Sequence, residues 1–147
     1  MPVHLLNLPE TTVYPGIFVP VENTEKTRER LRDLPTSSIK KPMVNIINHD
    51  QLIKVKIAVP GVCREDFCIE ATDNILSVSV LHNEVSEKDI MFSLHEFDCK
   101  VFERHIVLPE NADLSFISAN YFRGILEIQI PKSESPIKLK NQRIIVY

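Results

Sequence analysis

The chain has 147 residues, and its 44% hydrophobic content and net charge of −3 are those of a globular protein. This length predicts one folded domain with flexible attachments. Its three glycines, Gly16, Gly61 and Gly124, lie too far apart for a phosphate-binding loop, which argues against nucleotide-driven chemistry. Since Lys and Arg do not cluster and no apolar run reaches about 20 residues, neither nucleic acid nor a membrane is an expected partner.

The N-terminus has neither the basic start nor the apolar stretch of a secretory signal, so we expect a cytoplasmic protein. Cysteines are odd in number (Cys63, Cys68 and Cys99), which indicates reduced thiols rather than a disulfide framework.

Residues 1–41 contain five prolines among scattered apolar side chains. Because proline removes a backbone donor and fixes the backbone, no sheet is expected in this segment. Residues 22–33 are highly charged, and both a short helix and solvated coil remain open for them.

After Pro42 the apolar residues recur with a period of two, which is typical of strands. Short strands with turn signals between them and no amphipathic helix predict an all-β fold, an immunoglobulin-like antiparallel β-sandwich. The predicted strands are residues 43–47, 51–59, 67–71, 75–80, 89–94, 100–108, 114–121 and 125–130.

Several motifs occur in this order: Pro60-Gly61, Leu108-Pro109-Glu110, Ala119 to Leu126 with the spacing A-x-x-x-x-G-x-L, and Ile130-Pro131-Lys132. Together they resemble the α-crystallin domain of small heat-shock proteins of the bacterial and plant type. The resemblance implies a variable hydrophobic arm over residues 1–41, the β-sandwich domain over 42–132, and a C-terminal extension over 133–147.

The extension ends in Ile144-Ile145-Val146, which resembles the I-x-I/V oligomerisation motif of that family. Side chains at i and i+2 of an extended segment project on one side, so Ile144 and Val146 are expected to enter neighbouring pockets of a groove. In the family this groove lies between the strands that match residues 67–71 and 114–121. Strand parity then predicts its lining: Phe67, Ile69, Leu114 and Phe116. The alternative is that the tail folds back onto its own domain.

Residues 89–94 resemble the swapped strand of bacterial and plant family members, which pairs with the first domain strand of a partner subunit. A surface loop is the alternative. Arg104 shares the parity of apolar neighbours and therefore needs an anionic partner, and it matches a family arginine near the dimer interface. The predicted dimer interface consists of Met43, Val44, Ile46, Ile90, Phe92, Leu94 and Arg104.

Metal binding is one alternative, because Cys63 and Cys68 have C-x4-C spacing and His95 and Cys99 have H-x3-C spacing, which resemble parts of a tetrahedral metal site. Cys68 alternates with apolar residues of a strand, however, which favours ordinary sheet packing. No nucleophile lies on a strand-to-helix turn either. We therefore expect no catalytic residue, no metal and no cofactor.

The resemblance implies an ATP-independent holdase, a chaperone that binds partly unfolded client proteins and prevents their aggregation. It further implies a strand-swapped dimer and a larger homo-oligomer. Apolar residues of the arm are the expected client-binding surface, because prolines keep them out of regular packing. The alternative is a non-catalytic cochaperone or scaffold with a CS-type β-sandwich. The client-binding residues are predicted to be Leu5, Leu6, Leu8, Tyr14, Ile17 and Phe18.

Overall fold

The structure, a computed structural model, describes residues 18–22, 42–81, 91, 93–94 and 101–147. Within these residues the chain forms nine strands and two 3-10 helices, Arg64–Asp66 and Leu114–Phe116. The strands are β1 (Phe18–Pro20), β2 (Met43–Asn48), β3 (Leu52–Ala58), β4 (Phe67–Thr72), β5 (Ile75–Leu81), β6 (Val101–Val107), β7 (Ser118–Phe122), β8 (Ile125–Pro131) and β9 (Gln142–Ile144).

The strands form two sheets that pack face to face. One sheet has five strands in the order β1-β6-β5-β4-β9, and the other has four in the order β2-β3-β8-β7. All neighbouring strands are antiparallel except β1 and β6, which run parallel. The predicted all-β sandwich is confirmed.

The core follows from the period-two pattern of the strands. In β3, Ile53, Val55 and Ile57 are fully buried, while Lys54 and Lys56 lie on the opposite face of the sheet. Strands β4, β5 and β8 alternate buried and less buried side chains in the same way. The other fully buried large side chains are Val59, Ile69, Leu76, Val80, Ile106, Leu114, Leu126, Ile128 and Ile130.

Strand β1 shows that the prediction of no sheet within residues 1–41 is wrong. The strand is only three residues long and lies at a sheet edge, in parallel register with the end of β6. Pro20 is its last residue, where a missing backbone N–H costs little. The next residue, Val21, donates its N–H to the carbonyl of Val107 at 3.0 Å.

The predicted strand over residues 114–121 is wrong at its start. Residues Leu114–Phe116 form a 3-10 helix, and the strand begins only at Ser118. The Asp113 carboxylate caps this helix, because its Oδ1 accepts the Ser115 N–H at 3.0 Å and the Ser115 hydroxyl at 2.6 Å. The helix breaks the alternation, so that Leu114 is buried while Phe116 is 71% exposed.

Candidate functional site

The C-terminal segment lies along the edge of the five-stranded sheet. Strand β9 pairs antiparallel with β4, with Ile144 opposite Ile69 and Gln142 opposite Ala71. Ile144 is 7% exposed and belongs to the hydrophobic core cluster. The tail therefore completes the sandwich at this edge.

Beyond β9 the tail crosses to the other sheet. Val146 forms a bridge with Ala119 of β7, and the Tyr147 N–H donates to the Ala119 carbonyl at 3.1 Å. The Tyr121 N–H donates to the Tyr147 carbonyl at 2.8 Å. Val146 is partly buried against the core, whereas Ile145, between the two motif residues, is 67% exposed. Ile144 and Val146 thus occupy a groove between β4 and β7.

The four predicted groove residues have different positions. Ile69 is fully buried opposite Ile144, and Phe67 is buried with its ring 4.9 Å from that of Tyr121. Leu114 is buried, and its N–H donates to the carbonyl of Ile137 in the extension at 3.0 Å. The parity argument is wrong for Phe116, because the 3-10 helix turns it outward.

Sequence reasoning missed two residues that contact the tail, Ala119 and Tyr121. Ala119 is the first residue of the A-x-x-x-x-G-x-L pattern, and it is buried beneath the bridge to Val146. The Tyr121 hydroxyl donates to the carbonyl of Val59 at 2.7 Å, which fixes the ring at the end of the groove. The motif itself contained the signal, since a small residue at its start permits close approach of a second backbone.

The extension reaches the groove along its own domain. The Lys138 ammonium donates to the Ala112 carbonyl at 2.8 Å, and burial there lowers the pKa of Lys138. The Asp73 N–H donates to the Leu139 carbonyl at 3.4 Å, and the Asn141 N–H donates to the Thr72 hydroxyl at 3.1 Å. In the structure the extension therefore lies along its own domain.

Arg104 lies on the inward side of β6, as its parity predicts, and is 7% exposed. Its Nη1 donates to the carbonyl of Pro42, immediately before β2, at 2.9 Å. Burial lowers the pKa of Arg104. The guanidinium therefore ties β6 to the residue before β2 through a backbone oxygen.

The other predicted dimer residues are placed only in part. Met43 is exposed on β2, while Val44 and Ile46 are partly buried against the core. In the segment of the predicted swapped strand, Met91 and Leu94 are exposed, whereas Ile90 and Phe92 lie outside the described residues. Strand β2 is one of the two edge strands of its sheet.

Among the predicted client-binding residues, Phe18 alone lies within the described part of the chain. It belongs to β1, and its ring stacks on the imidazole of His105 with centroids 4.8 Å apart. The remaining five lie outside the described residues: Leu5, Leu6, Leu8, Tyr14 and Ile17.

Within the described residues, neither a metal-binding cluster nor a membrane-spanning helix is found. Cys63 is exposed and Cys68 half-buried, while His95 and Cys99 lie outside the described residues. The described residues bring together no group of three or more His, Cys, Asp or Glu side chains suited to a metal. Within the same ranges, no helix has the length and apolar character needed to cross a membrane.

The fold agrees with comparisons to known proteins. Residues 45–147 match the Hsp20/alpha crystallin family. The chain belongs to this family.

Similarity to individual family members is moderate. Small heat shock protein C4 of Rickettsia felis is 30% identical over 99 residues, which cover 67% of this chain and 61% of that protein. The 17.7 kDa class II heat shock protein of Arabidopsis thaliana is 29% identical over 133 residues, covering 85% and 84%. For a third member, hspI of Dictyostelium discoideum, the match spans only 46% of that protein.

Solved structures of the family show the same domain. A small heat-shock protein from Xylella fastidiosa superposes with a TM-score of 0.60 at 26% identity, covering 71% of this chain and 97% of that one. The hspA structure from Xanthomonas axonopodis gives 0.59 at 27% identity, covering 67% and 99%. The β-sandwich described above is thus an α-crystallin domain.

Proposed function

We propose that this family member is an ATP-independent holdase that binds partly unfolded proteins and suppresses their aggregation. The observation that carries the proposal is the groove between β4 and β7, in which an extended Ile-x-Val segment is seated. A groove of this kind recognises extended apolar chain through backbone hydrogen bonds and alternate side chains. Unfolded proteins expose such chain, and the burial of their apolar surface needs no cofactor and no chemical step.

The strength of tail binding supports an exchangeable assembly. Full burial of an Ile side chain contributes about 1.5–3 kcal/mol, from which the cost of ordering the segment is subtracted. Because Ile144 is buried and Val146 only partly so, binding of the tail to the groove is weak and reversible. Many such weak contacts acting together still hold an oligomer.

The proposed homo-oligomer uses two contacts. Pairing of β2 with residues 89–94 of a partner subunit, next to Arg104, makes a strand-swapped dimer. Tails that leave their own groove for the groove of a neighbour join such dimers into a larger assembly. The pairing of β9 with β4 supports this step, because the Ile-x-Val segment fits the groove of its own subunit.

Clients bind mainly the apolar arm of residues 1–21 in this proposal, and the protein acts in the cytoplasm without metal or cofactor. The test measures light scattering of a heat-denatured enzyme, such as malate dehydrogenase, with the intact chain and without ATP. Suppression at near-equimolar subunit ratio is expected. The chain lacking residues 1–21 should lose most of it while its β-sheet circular dichroism persists.

The opposite results are equally informative. Full suppression by the truncated chain places the client site on the sandwich instead of the arm. Absence of suppression by the intact chain with several clients contradicts the holdase and favours a cochaperone or scaffold.

A further inference from the structure

Strand β1 covers one edge of the five-stranded sheet, as β9 covers the other. It pairs in parallel with the end of β6, so that Phe18 lies opposite His105 and Val19 opposite Ile106. Val19 is 7% exposed and joins the same core cluster as Ile106. β1 is therefore a strand bound to the domain and not a surface loop.

His105 provides a flat surface for the aromatic side chain of β1. The rings of Phe18 and His105 are 4.8 Å apart and inclined by 22°. Both imidazole nitrogens have partners: Nε2 lies 2.6 Å from the Glu103 carboxylate and Nδ1 lies 2.8 Å from the Ser77 hydroxyl. Because an ionised carboxylate only accepts, Nε2–H donates to Glu103, and Nδ1 shares a hydrogen bond with the Ser77 hydroxyl. These two bonds fix the plane of the imidazole.

The hold on β1 is nevertheless small. The strand has three residues, and its last residue, Pro20, has no N–H to donate. Within the described residues it pairs with one neighbouring strand, β6. A segment held in this way leaves its edge at low cost, and the edge of β6 is then a template for another extended chain.

We propose that the edge of β6 from His105 to Val107 is a second binding site for extended segments of client proteins, which the chain's own β1 occupies until a client displaces it. The proposal rests on the proposed chaperone function, because unfolded clients supply the segment. β1 itself shows which segments fit. An aromatic side chain stacks on His105, and the next side chain is aliphatic and enters the core beside Ile106.

The substitution Val19→Asp tests the proposal by removing β1 from its edge in the full-length chain. A carboxylate cannot be buried in the core cluster without a partner, and the strand is expected to detach while the sandwich stays folded. The probe is a fluorescent peptide with the sequence of residues 14–22. Its matched control is the same peptide with aspartate at the position of Val19.

We expect the Val19→Asp protein to bind the unaltered peptide at least about tenfold more tightly than the unaltered protein does, since a site that is free only a tenth of the time has tenfold lower apparent affinity. Fluorescence anisotropy measures both affinities. The control peptide should not bind. Hydrogen exchange should slow on peptide binding at residues 105–107.

Equal binding of the peptide to both proteins would overturn the proposal, as would protection confined to β2 or β4. If circular dichroism shows that the Val19→Asp chain is unfolded, the chain lacking residues 1–21 replaces it. The same affinities and the same protected amides are then required.

A second measurement separates this proposal from the chaperone proposal. The Val19→Asp protein should suppress aggregation of heat-denatured malate dehydrogenase, and excess unaltered peptide should lower that suppression by about half or more by occupying the edge. If suppression persists undiminished, the β6 site is wrong and the holdase stands. If the intact and variant proteins both fail to suppress aggregation while the peptide binds, the holdase is wrong and the edge site is an attachment site for β1 alone.

Discussion

The two sheets of the sandwich differ in how their edges are covered. Both edges of the five-stranded sheet carry a three-residue strand from outside residues 42–132, β1 on one side and β9 on the other. In the four-stranded sheet, β7 contacts the end of the tail. No strand covers β2, its other edge, within the ranges that the structure describes. Unpaired edges bind other chains, so the difference supports the proposed pairing of β2 with a partner subunit, whereas the β4–β7 groove holds the chain's own tail.

Deleting residues 144–147 tests the role of the tail that lies in the β4–β7 groove. It should have the largest effect of the predicted changes. Because tails that move between subunits hold the proposed oligomer, the mass should fall from that of a large assembly to that of a dimer. Multi-angle light scattering measures the mass, and circular dichroism checks that the sandwich stays folded. An unchanged mass would show that the tail stays in its own groove in the assembly too.

Shortening residues 82–94 to a tight turn tests whether β2 is the edge that pairs with a partner subunit. If β2 pairs with this segment of a partner, the shortened chain lacking its tail should be a folded monomer of half the mass of the dimer. The matched control is the tail deletion alone, which keeps the segment. A shortened chain that remains dimeric would contradict the swapped strand and leave another surface as the dimer contact.

Much of this arrangement follows from the sequence, since strands such as β3 and β8 are long enough to show a period of two. The turn between β7 and β8 was also predictable, because Gly124 lies between two alternating stretches and glycine readily adopts a positive φ. Both Arg123 and Gly124 have the positive φ that such hairpin turns require. Strand β1 has three residues, which is too short for any periodicity, and it is set by tertiary pairing with β6.

Two other features lay beyond sequence reasoning for different physical reasons. Residues 114–116 alternate apolar and polar side chains like a strand, but the Asp113 carboxylate accepts the Ser115 N–H and the backbone forms a 3-10 helix instead. The spacing of Ile144 and Val146 predicts two neighbouring pockets, and the resemblance to the family implies the position of the groove between residues 67–71 and 114–121. Whose tail fills it was not predictable, because contacts within and between subunits use the same residues.

The substitution Ile144→Ala measures how firmly the covered edge is held, with Ile145→Ala as its matched control. Ile144 is buried in the core cluster and its neighbour is exposed, so truncation should weaken tail docking by about 1–3 kcal/mol at Ile144 and by little at Ile145. Hydrogen exchange of the Tyr121 amide, which donates to the tail, reports docking. Equal acceleration of exchange in both variants would mean that the backbone ladder alone holds the tail.

The smallest expected effect concerns the acid dependence of the segment on which the tail linker rests. Hydrogen bonds from the Ser115 hydroxyl and N–H lower the pKa of Asp113, although burial acts in the opposite direction. A carboxyl whose pKa is lowered in the folded state stabilises the fold at pH values above its unfolded pKa, and this contribution is lost as the pH falls through the lowered pKa.

In Asp113→Asn the free energy of unfolding should therefore decrease less on acidification between about pH 5 and pH 2 than in the unaltered chain. Urea unfolding at a series of pH values measures this slope, and Asp50→Asn, at an exposed position, serves as the charge-matched control. Since the Leu114 N–H and the Lys138 ammonium hold the extension beside Asp113, exchange of the Tyr121 amide should follow the same acid dependence. An Asp113→Asn slope equal to that of the unaltered chain would show that the Asp113 cap does not couple the tail to pH.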